Sequence, residues 1–137
     1  KLDNQLCFAL YVSSKEVIRK YKPLLDPLGL TYTSYIALMA LWEQDNVTIK
    51  DLGKRLYLDS GTLTPLLKKL ENLGYITRNR SISDERNVYV KLTPEGNELK
   101  AKVAHIPQKL ICSSNVDIKN AVQLLPILQQ FMKEIAD

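Results

Sequence analysis

The chain contains two residues whose side chains could undergo redox chemistry, Cys7 and Cys112. They lie 105 positions apart (112 minus 7) in a sequence of 137 residues. Neither belongs to a CxxC pair or lies near the lone His105 at a spacing typical of metal ligands, so no metal site is expected. The two thiols are therefore either apolar residues of the core or redox-active groups.

The position of Cys7 favours reactivity to some degree. A long first helix is predicted for residues 3–20, ending in the region of Pro23 and Pro27. Cys7 lies in its first turn or two, where the helix dipole favours a thiolate, although Asp3 opposes this effect. These residues alone do not decide between a reactive thiol and a buried, unreactive one.

Hydroxyl and ammonium groups are concentrated in the stretch DSGTLTPLLKKLENLG, which begins at residue 59. Its leucines recur at helical spacing, and the Asp59–Gly61 turn joins this helix to a short helix capped by Thr48, as in a helix-turn-helix. Pro65 is tolerated only near a helix start, so it is expected at the tip. The residues predicted to face DNA are Ser60, Thr62, Thr64, Pro65, Lys68 and Lys69.

Such a helix can enter a major groove, where its hydroxyls and its N–H groups meet bases and phosphates. An ordinary amphipathic helix with a solvated basic face is the alternative. The following residues favour DNA, because strands at 75–79 and 88–92 would form a hairpin with a turn at 83–85. Its predicted DNA-binding residues are Arg78, Arg80 and Arg86, together with Asp84, which would brace Arg86.

The charge distribution agrees with this interpretation. Residues 48–92 contain nine Lys or Arg and five Asp or Glu, a surplus of four, whereas the rest of the chain holds ten of each. The entire net charge of +4 therefore lies in the predicted helix-turn-helix and hairpin. A basic lobe on a neutral scaffold is typical of a protein that binds a polyanion.

The remaining residues predict a scaffold of helices. Thr31–Gln44 should be a central helix with Trp42 in the core. Thr93 starts another, interrupted near Pro107, and Asp117 opens a last one, broken at Pro126. The fold class is mainly α with a small β-wing: a winged helix-turn-helix lobe at 31–93, with dimerisation helices at 1–30 and 94–137. No apolar run or leader indicates a membrane span or export, so a cytoplasmic protein without a membrane partner is expected.

The chain resembles the winged-helix MarR regulators, and among them the hydroperoxide sensors of the OhrR and SarZ type. The resemblance rests on NQLCFALYVSSKE, YKPLLDPLGLTYTSYIALMALWE, LYLDSGTLTPLLKKLE and DERNVYVKLTPEG, within residues 4–100. It implies a homodimer with interlocked terminal helices, in which each subunit presents one lobe to half of an inverted repeat in double-stranded DNA. It also implies that Cys7 reacts with a peroxide.

Sensors of this type hold the reactive sulfur with tyrosine hydroxyls, and Tyr11, Tyr21 and Tyr32 occupy the matching positions. Tyr11 is four residues beyond Cys7 and shares its helical face. Tyr21 is 14 residues on, about 21 Å along a straight helix, so it could reach only the thiol of the partner subunit. Packing of these tyrosines in a core or interface is the alternative.

Cys112 resembles the distal cysteine of two-cysteine members, in which the oxidised thiol is trapped by the other subunit. The leading interpretation is thus a repressor, not an enzyme and without a cofactor, released from DNA when Cys7 is oxidised and bonded to Cys112. Two alternatives stay open. One is a MarR-type regulator that binds a phenolic or lipophilic ligand and has passive cysteines; the other is a thiol peroxidase.

Overall fold

The computed structural model describes residues 1–83 and 86–136, which are mainly helical with one small antiparallel sheet, and this confirms the predicted fold class. They form two compact units; the first covers Lys1–Ala104, and the second begins at His105. The elements of the first unit are α1 (Leu6–Leu25), α2 (Tyr32–Glu43), β1 (Val47–Thr48), α3 (Ile49–Leu56), α4 (Ser60–Asn72), β2 (Ile76–Arg80), β3 (Val88–Leu92) and α5 (Pro94–Val103). Single 3-10 turns at Leu2–Asn4 and Asp26–Leu28 flank α1. The second unit contains α6 (Ile106–Cys112) and α7 (Ile118–Ile135).

Helix α2 is the centre of the first unit, as its apolar sequence predicted. Tyr35, Leu38 and Leu41 are buried, and α1, α3, α4, α5 and β3 all contact this helix. Its start is fixed by Thr31, whose side chain accepts a hydrogen bond from the backbone N–H of Ser34 at 3.2 Å. The core around it consists of Leu25, Leu30, Ala37, Leu52, Leu63, Leu67, Leu70, Ile76, Val90, Leu92, Leu99 and Val103.

The prolines do not all act as predicted. Helix α1 includes Pro23 and ends at Leu25, within the predicted region of Pro23 and Pro27. Helix α7 continues through Pro126, so the predicted break at that residue is wrong. A proline removes one hydrogen bond inside a helix, and the turns on either side retain theirs. Pro107 does mark an interruption: it lies at the start of α6, where its missing N–H would have no partner.

The sheet has the strand order β1-β3-β2. Strands β2 and β3 form the predicted hairpin, with Ile76 opposite Leu92, Arg78 opposite Val90 and Arg80 opposite Val88. The sequence did not predict β1, which has only two residues and pairs Val47 with Val90. Residues 84 and 85 of the predicted turn lie outside the described residues.

The base of the hairpin is tied to the helices by contacts that are distant in sequence. Asp45 accepts a hydrogen bond from the backbone N–H of Leu92 at 2.9 Å. Thr93 donates to the carbonyl of Gly74 at 2.6 Å, and half-buried Trp42 donates to the carbonyl of Gly96 at 2.9 Å. A Cβ at Gly96 would lie 2.1 Å from the Tyr75 carbonyl oxygen, so only glycine fits there.

No single helix within residues 1–83 and 86–136 is long and apolar enough to span a bilayer. By length and composition only, the stretches Leu6–Leu28 and Tyr32–Glu43 would qualify as a pair, bent by 74°. The second of these stretches is the buried helix α2.

Candidate DNA interface and thiol site

Helices α3 and α4 form the helix-turn-helix, and α4 presents a polar tip. Asp59 precedes α4 and accepts a hydrogen bond from the backbone N–H of Thr62 at 2.7 Å. This bond, together with those from the Thr62 hydroxyl and the Gly61 N–H, holds the pKa of Asp59 below its ordinary value. The first turn of the helix is thereby fixed by an ionised cap.

The exposed and buried faces of α4 are cleanly separated. Leu63, Leu67 and Leu70 are fully buried. The residues predicted to contact DNA are all exposed, namely Ser60, Thr62, Thr64, Pro65, Lys68 and Lys69. The structure thus presents hydroxyls and ammonium groups together on the outer face, which is the arrangement that major-groove recognition needs.

Two details of the helix-turn-helix differ from the prediction. Because α4 begins at Ser60, Pro65 lies in its second turn and not at its tip. The tight turn also depends on Gly53 and not on Gly61, because a Cβ at Gly53 would lie 2.8 Å from the Leu58 carbonyl oxygen. Tyr57 reverses the chain after α3 with a φ of 58°, a left-handed conformation that is uncommon for a residue other than glycine.

The wing, defined here as residues 76–92, carries the predicted arginines in two different settings. Arg80 and Arg86 are exposed. The hairpin closes beyond β2 through a hydrogen bond from Ser81 N–H to the carbonyl of Asn87 at 2.8 Å. The predicted brace between Asp84 and Arg86 involves a residue outside the described range.

Arg78 is partly buried and paired within the protein. Its Nη2 lies 3.1 Å from Oε1 of Glu71 on α4, with side-chain exposures of 23% and 36% respectively. A hydrogen bond and the charge of Arg78 hold the pKa of Glu71 below its ordinary value. Arg78 therefore lies in a different environment from Arg80 and Arg86, which the sequence had grouped with it.

Cys7 is the second residue of α1, within the first turn as predicted, and it is exposed. Tyr11 follows one turn later and is also exposed, with the ammonium of Lys15 lying 5.5 Å from its ring centre. Helix α1 is continuous from Leu6 to Leu25, so Tyr21 lies about 21 Å farther along the same axis. Tyr21 is therefore out of reach of the Cys7 sulfur of its own chain.

Tyr21 and Tyr32 do come together, in a cluster that also contains Tyr35. The ring centres of Tyr21 and Tyr32 lie 4.9 Å apart, and Tyr35 lies 5.8 Å from Tyr21. Burial, followed by the neighbouring Tyr32 and Tyr35, raises the pKa of Tyr21. Like an ordinary tyrosine hydroxyl, that of Tyr21 is protonated at neutral pH and can act as a hydrogen-bond donor.

Cys112 is the last residue of α6 and is exposed, as is His105 at the start of that helix. Both cysteines have free thiols. Among residues 1–83 and 86–136 no group of three or more His, Cys, Asp or Glu side chains could hold a metal ion.

Sequence reasoning missed several residues that position this site: Asp45, Gly53, Glu71 and Tyr35. Tyr35 could have been found, because it follows Tyr32 by three residues and therefore shares a face of α2 with it. Glu71 and Asp45 act through contacts with strands, and sequence spacing alone does not reveal those partners.

Comparisons with known proteins agree with this architecture. The family described as transcriptional regulator SarA/Rot matches residues 19–103. The organic hydroperoxide resistance transcriptional regulator of Bacillus subtilis (strain 168) is 48% identical over 135 residues, which cover 98% of this chain and 92% of that protein. The regulator SarZ of Staphylococcus saprophyticus is 47% identical over 133 residues, covering 97% and 91%.

Among solved structures, the chain is similar to AbfR, a protein of Staphylococcus epidermidis. Reduced AbfR bound to DNA has a TM-score of 0.83 at 33% identity, covering 99% of this chain and 95% of that one. Overoxidized AbfR bound to DNA has a TM-score of 0.79 at 36% sequence identity, covering 98% of this chain and 94% of that one. AbfR with its disulfide formed has a TM-score of 0.69 at 34% sequence identity, covering 98% of this chain and 91% of that one.

The fold and the site thus define a winged helix-turn-helix transcriptional regulator, and the relatives are regulators and not enzymes. The chain belongs to the MarR family, in its OhrR/SarZ branch.

Proposed function

We propose that this protein is a homodimeric repressor that binds an inverted repeat in double-stranded DNA and is released when a peroxide oxidises Cys7. The observation that carries DNA binding is the exposed face of α4, where hydroxyls and lysines lie next to a basic wing. The residues proposed to contact DNA are Ser60, Thr62, Thr64, Pro65, Lys68, Lys69, Arg80 and Arg86, with Asp84 bracing Arg86. Reduced AbfR, which has a similar structure, is bound to DNA, and this supports the proposed DNA binding.

The proposed dimer uses residues 1–30 and 94–137, and the lobe at 31–93 binds DNA. Helix α7 supports this division, because none of its residues is buried although it is rich in apolar side chains. Val122 is 68% exposed and Ile127 is 65% exposed. A second copy of the chain would remove this surface from water.

In the proposed switch, the Cys7 thiolate attacks the terminal oxygen of an organic hydroperoxide. The O–O bond breaks, this oxygen stays on the sulfur as a sulfenic acid, and the remaining alkoxide takes up a proton and leaves as an alcohol. The thiol of Cys112 from the partner subunit then displaces water from this sulfur, and a disulfide forms. Tyr11 of the same chain and the partner's Tyr21 and Tyr32 would donate hydrogen bonds to the thiolate before oxidation. The contact between the rings of Tyr21 and Tyr32 supports a joint role for these two residues.

Disulfide formation is proposed as the step that releases DNA. AbfR supports this order, because its overoxidized form is described on DNA. A disulfide requires Cα atoms within about 7 Å of each other, and the chain is already interrupted before α6 at Pro107. Movement of α6 would alter the spacing of the two lobes and thereby weaken binding to two half-sites.

The experiment is a titration of duplex DNA with the reduced protein, before and after cumene hydroperoxide, followed by non-reducing electrophoresis. Wild type should lose affinity and form a reducible covalent dimer. Cys7→Ser should resist the oxidant. Cys112→Ser should be overoxidised at Cys7 without crosslinking, and should remain on DNA.

Two results would redirect the proposal. If peroxide releases wild type without forming a covalent dimer, Cys7 acts alone or with a small thiol. If Cys7→Ser is still released by oxidant, the cysteines are passive and a ligand-responsive regulator becomes the better interpretation.

A further inference from the structure

We infer that Glu71 and Arg78 form a brace that sets the position of the wing on α4, so that Arg78 is a positioning residue and not a contact to DNA. This inference rests on the proposed DNA binding. It changes the expected role of Arg78 and gives a role to Glu71, which the sequence had left without one.

The geometry places this pair across the joint between helix and wing. Glu71 lies in the last turn of α4, and Arg78 lies in the middle of β2. Their contact of 3.1 Å links two elements that follow each other in the chain through the turn at residues 73–75. With exposures of 23% and 36%, the pair is better shielded from water than the Arg55–Glu43 pair, whose side chains are both 64% exposed. Shielding makes such a pair less sensitive to salt.

The sheet register shows what the brace can control. Ile76 pairs with Leu92 at the base of the wing, where Asp45 and Thr93 already fix the backbone. Arg78 lies two residues farther out, opposite fully buried Val90. Arg80 follows two residues later, about 6.6 Å toward the tip. The brace is therefore a second fixed point, midway between the anchored base and the outer part of the wing.

Arg78 is poorly suited to bind a phosphate in this position. Its Nε has almost no surface exposed to an anion from outside, although it has no hydrogen-bond partner among the described residues. Its charge is offset by Glu71, which stays ionised because Arg78 lowers the pKa of that carboxyl. To contact DNA directly, Arg78 would have to leave Glu71 unpaired at the DNA-facing lobe.

Two measurements distinguish a brace from a direct contact to DNA: the salt dependence of DNA affinity, and whether Glu71→Gln weakens or tightens binding. We would measure the affinity of wild type, Glu71→Gln, Arg78→Gln and the double variant for an inverted-repeat duplex selected from a random library by the wild-type protein. If the pair is a brace, each single variant should bind about two- to fivefold more weakly, as expected for a partly exposed ion pair. The double variant should bind no more weakly than either single one. The dependence of affinity on salt should remain that of wild type.

A direct phosphate contact predicts different results. Arg78→Gln would then reduce the salt slope by about one, as we expect for Arg86→Ala, the comparison variant. Glu71→Gln would tighten binding, because it removes a negative charge close to DNA. Either result, or unchanged affinity in both single variants, would overturn the brace.

Two further variants control for folding and for charge. Arg78→Lys should retain most of the affinity, because the contact to Glu71 uses a single nitrogen and does not need the planar fork of arginine. Glu43→Gln removes a carboxylate from another ion pair of the same lobe and reports the effect of charge alone. Urea unfolding of each variant checks that the lobe is folded, and if Arg78→Gln does not fold, the sign of the Glu71→Gln effect decides. Failure of wild type to bind any duplex would instead contradict the proposed function.

Discussion

Helices α2 and α7 differ sharply in how they use apolar residues. In α2, the apolar side chains Tyr35, Leu38 and Leu41 are buried within the protomer. In α7, Val122 and Ile127 are of comparable hydrophobicity but remain exposed, and no residue of the helix is buried. One helix completes a core inside its own unit, whereas the other presents its apolar residues to solvent.

Because of this difference, we expect substitutions of apolar residues in α2 and in α7 to have different effects. Loss of a buried methyl group in the lobe leaves a cavity and lowers the stability of each protomer. A polar substitution on α7 leaves the interior of the protomer unchanged and should act on association with a second copy. Stability and association can therefore be changed independently, and the following predictions test this separation, from the largest expected effect to the smallest.

The largest effect is expected for Leu38→Ala in α2. Leu38 is fully buried, so its truncation should lower the free energy of unfolding by about 2–5 kcal/mol. Urea unfolding monitored by circular dichroism measures this change. The loss should be the same at low and high protein concentration. A loss that disappears at high concentration would show that α2 is stabilised mainly by the partner subunit.

The second effect is expected for Val122→Asp in α7. A carboxylate at this position would have to be buried on association, and we expect about a hundredfold weaker dimerisation. Sedimentation equilibrium measures the dimerisation constant, and circular dichroism should show unchanged helix content. Gln123→Asp is the matched control, because it introduces the same charge at the neighbouring position. Equal effects of the two substitutions would contradict a specific interface at Val122.

The sequence predicted the starts of helices better than the effects of prolines inside them. Local signals were sufficient for helix starts: Thr31, Thr48 and Thr93 all cap helices through side-chain oxygens that accept backbone N–H groups. Local signals were not sufficient for prolines inside helices: Pro65 was expected at the tip of α4 but lies in its second turn, and α7 was expected to break at Pro126 but continues through it. The sequence pattern does not show whether a helix continues past a proline.

Contacts between residues distant in sequence were also not predicted. The hydrogen bond from Trp42 to Gly96 spans 54 positions, and the one from Leu92 to Asp45 spans 47. The sequence placed Trp42 in the core, whereas the residue is half-buried, and it did not identify the Gly96 carbonyl as its polar partner. For the candidate site, residue types and helical faces predicted which side chains of α4 are exposed. They did not show that Arg78 is partly buried and forms an ion pair with Glu71, because that contact joins β2 to α4 only in the folded chain.

An intermediate effect is expected at the joint between the lobe and α5. Thr93→Val removes the hydroxyl that donates to Gly74 and accepts from the Gly96 N–H, at 2.6 and 3.1 Å. The free energy of unfolding should fall by about 1 kcal/mol. Thr77→Val, on the exposed side of β2, is the control and should have little effect. Equal losses in the two variants would show that the joint does not depend on this hydroxyl.

The smallest effect is expected from protonation of Glu71, whose ion pair with Arg78 is at the surface of the lobe. Its pKa is lowered from the ordinary value of 4.5, chiefly by the hydrogen bond from Arg78. A carboxyl group with a lower pKa in the folded state contributes stability that is fully present above its unfolded pKa and is lost as the pH falls through the folded value. At pH 7, Glu71→Gln should therefore be less stable than wild type by about 0.5 kcal/mol or less. This difference should shrink as the pH is lowered below 4.5, and urea unfolding of both proteins across that range measures it. A difference that grows in acid would mean that the folded state favours protonated Glu71, which is incompatible with an ion pair to Arg78.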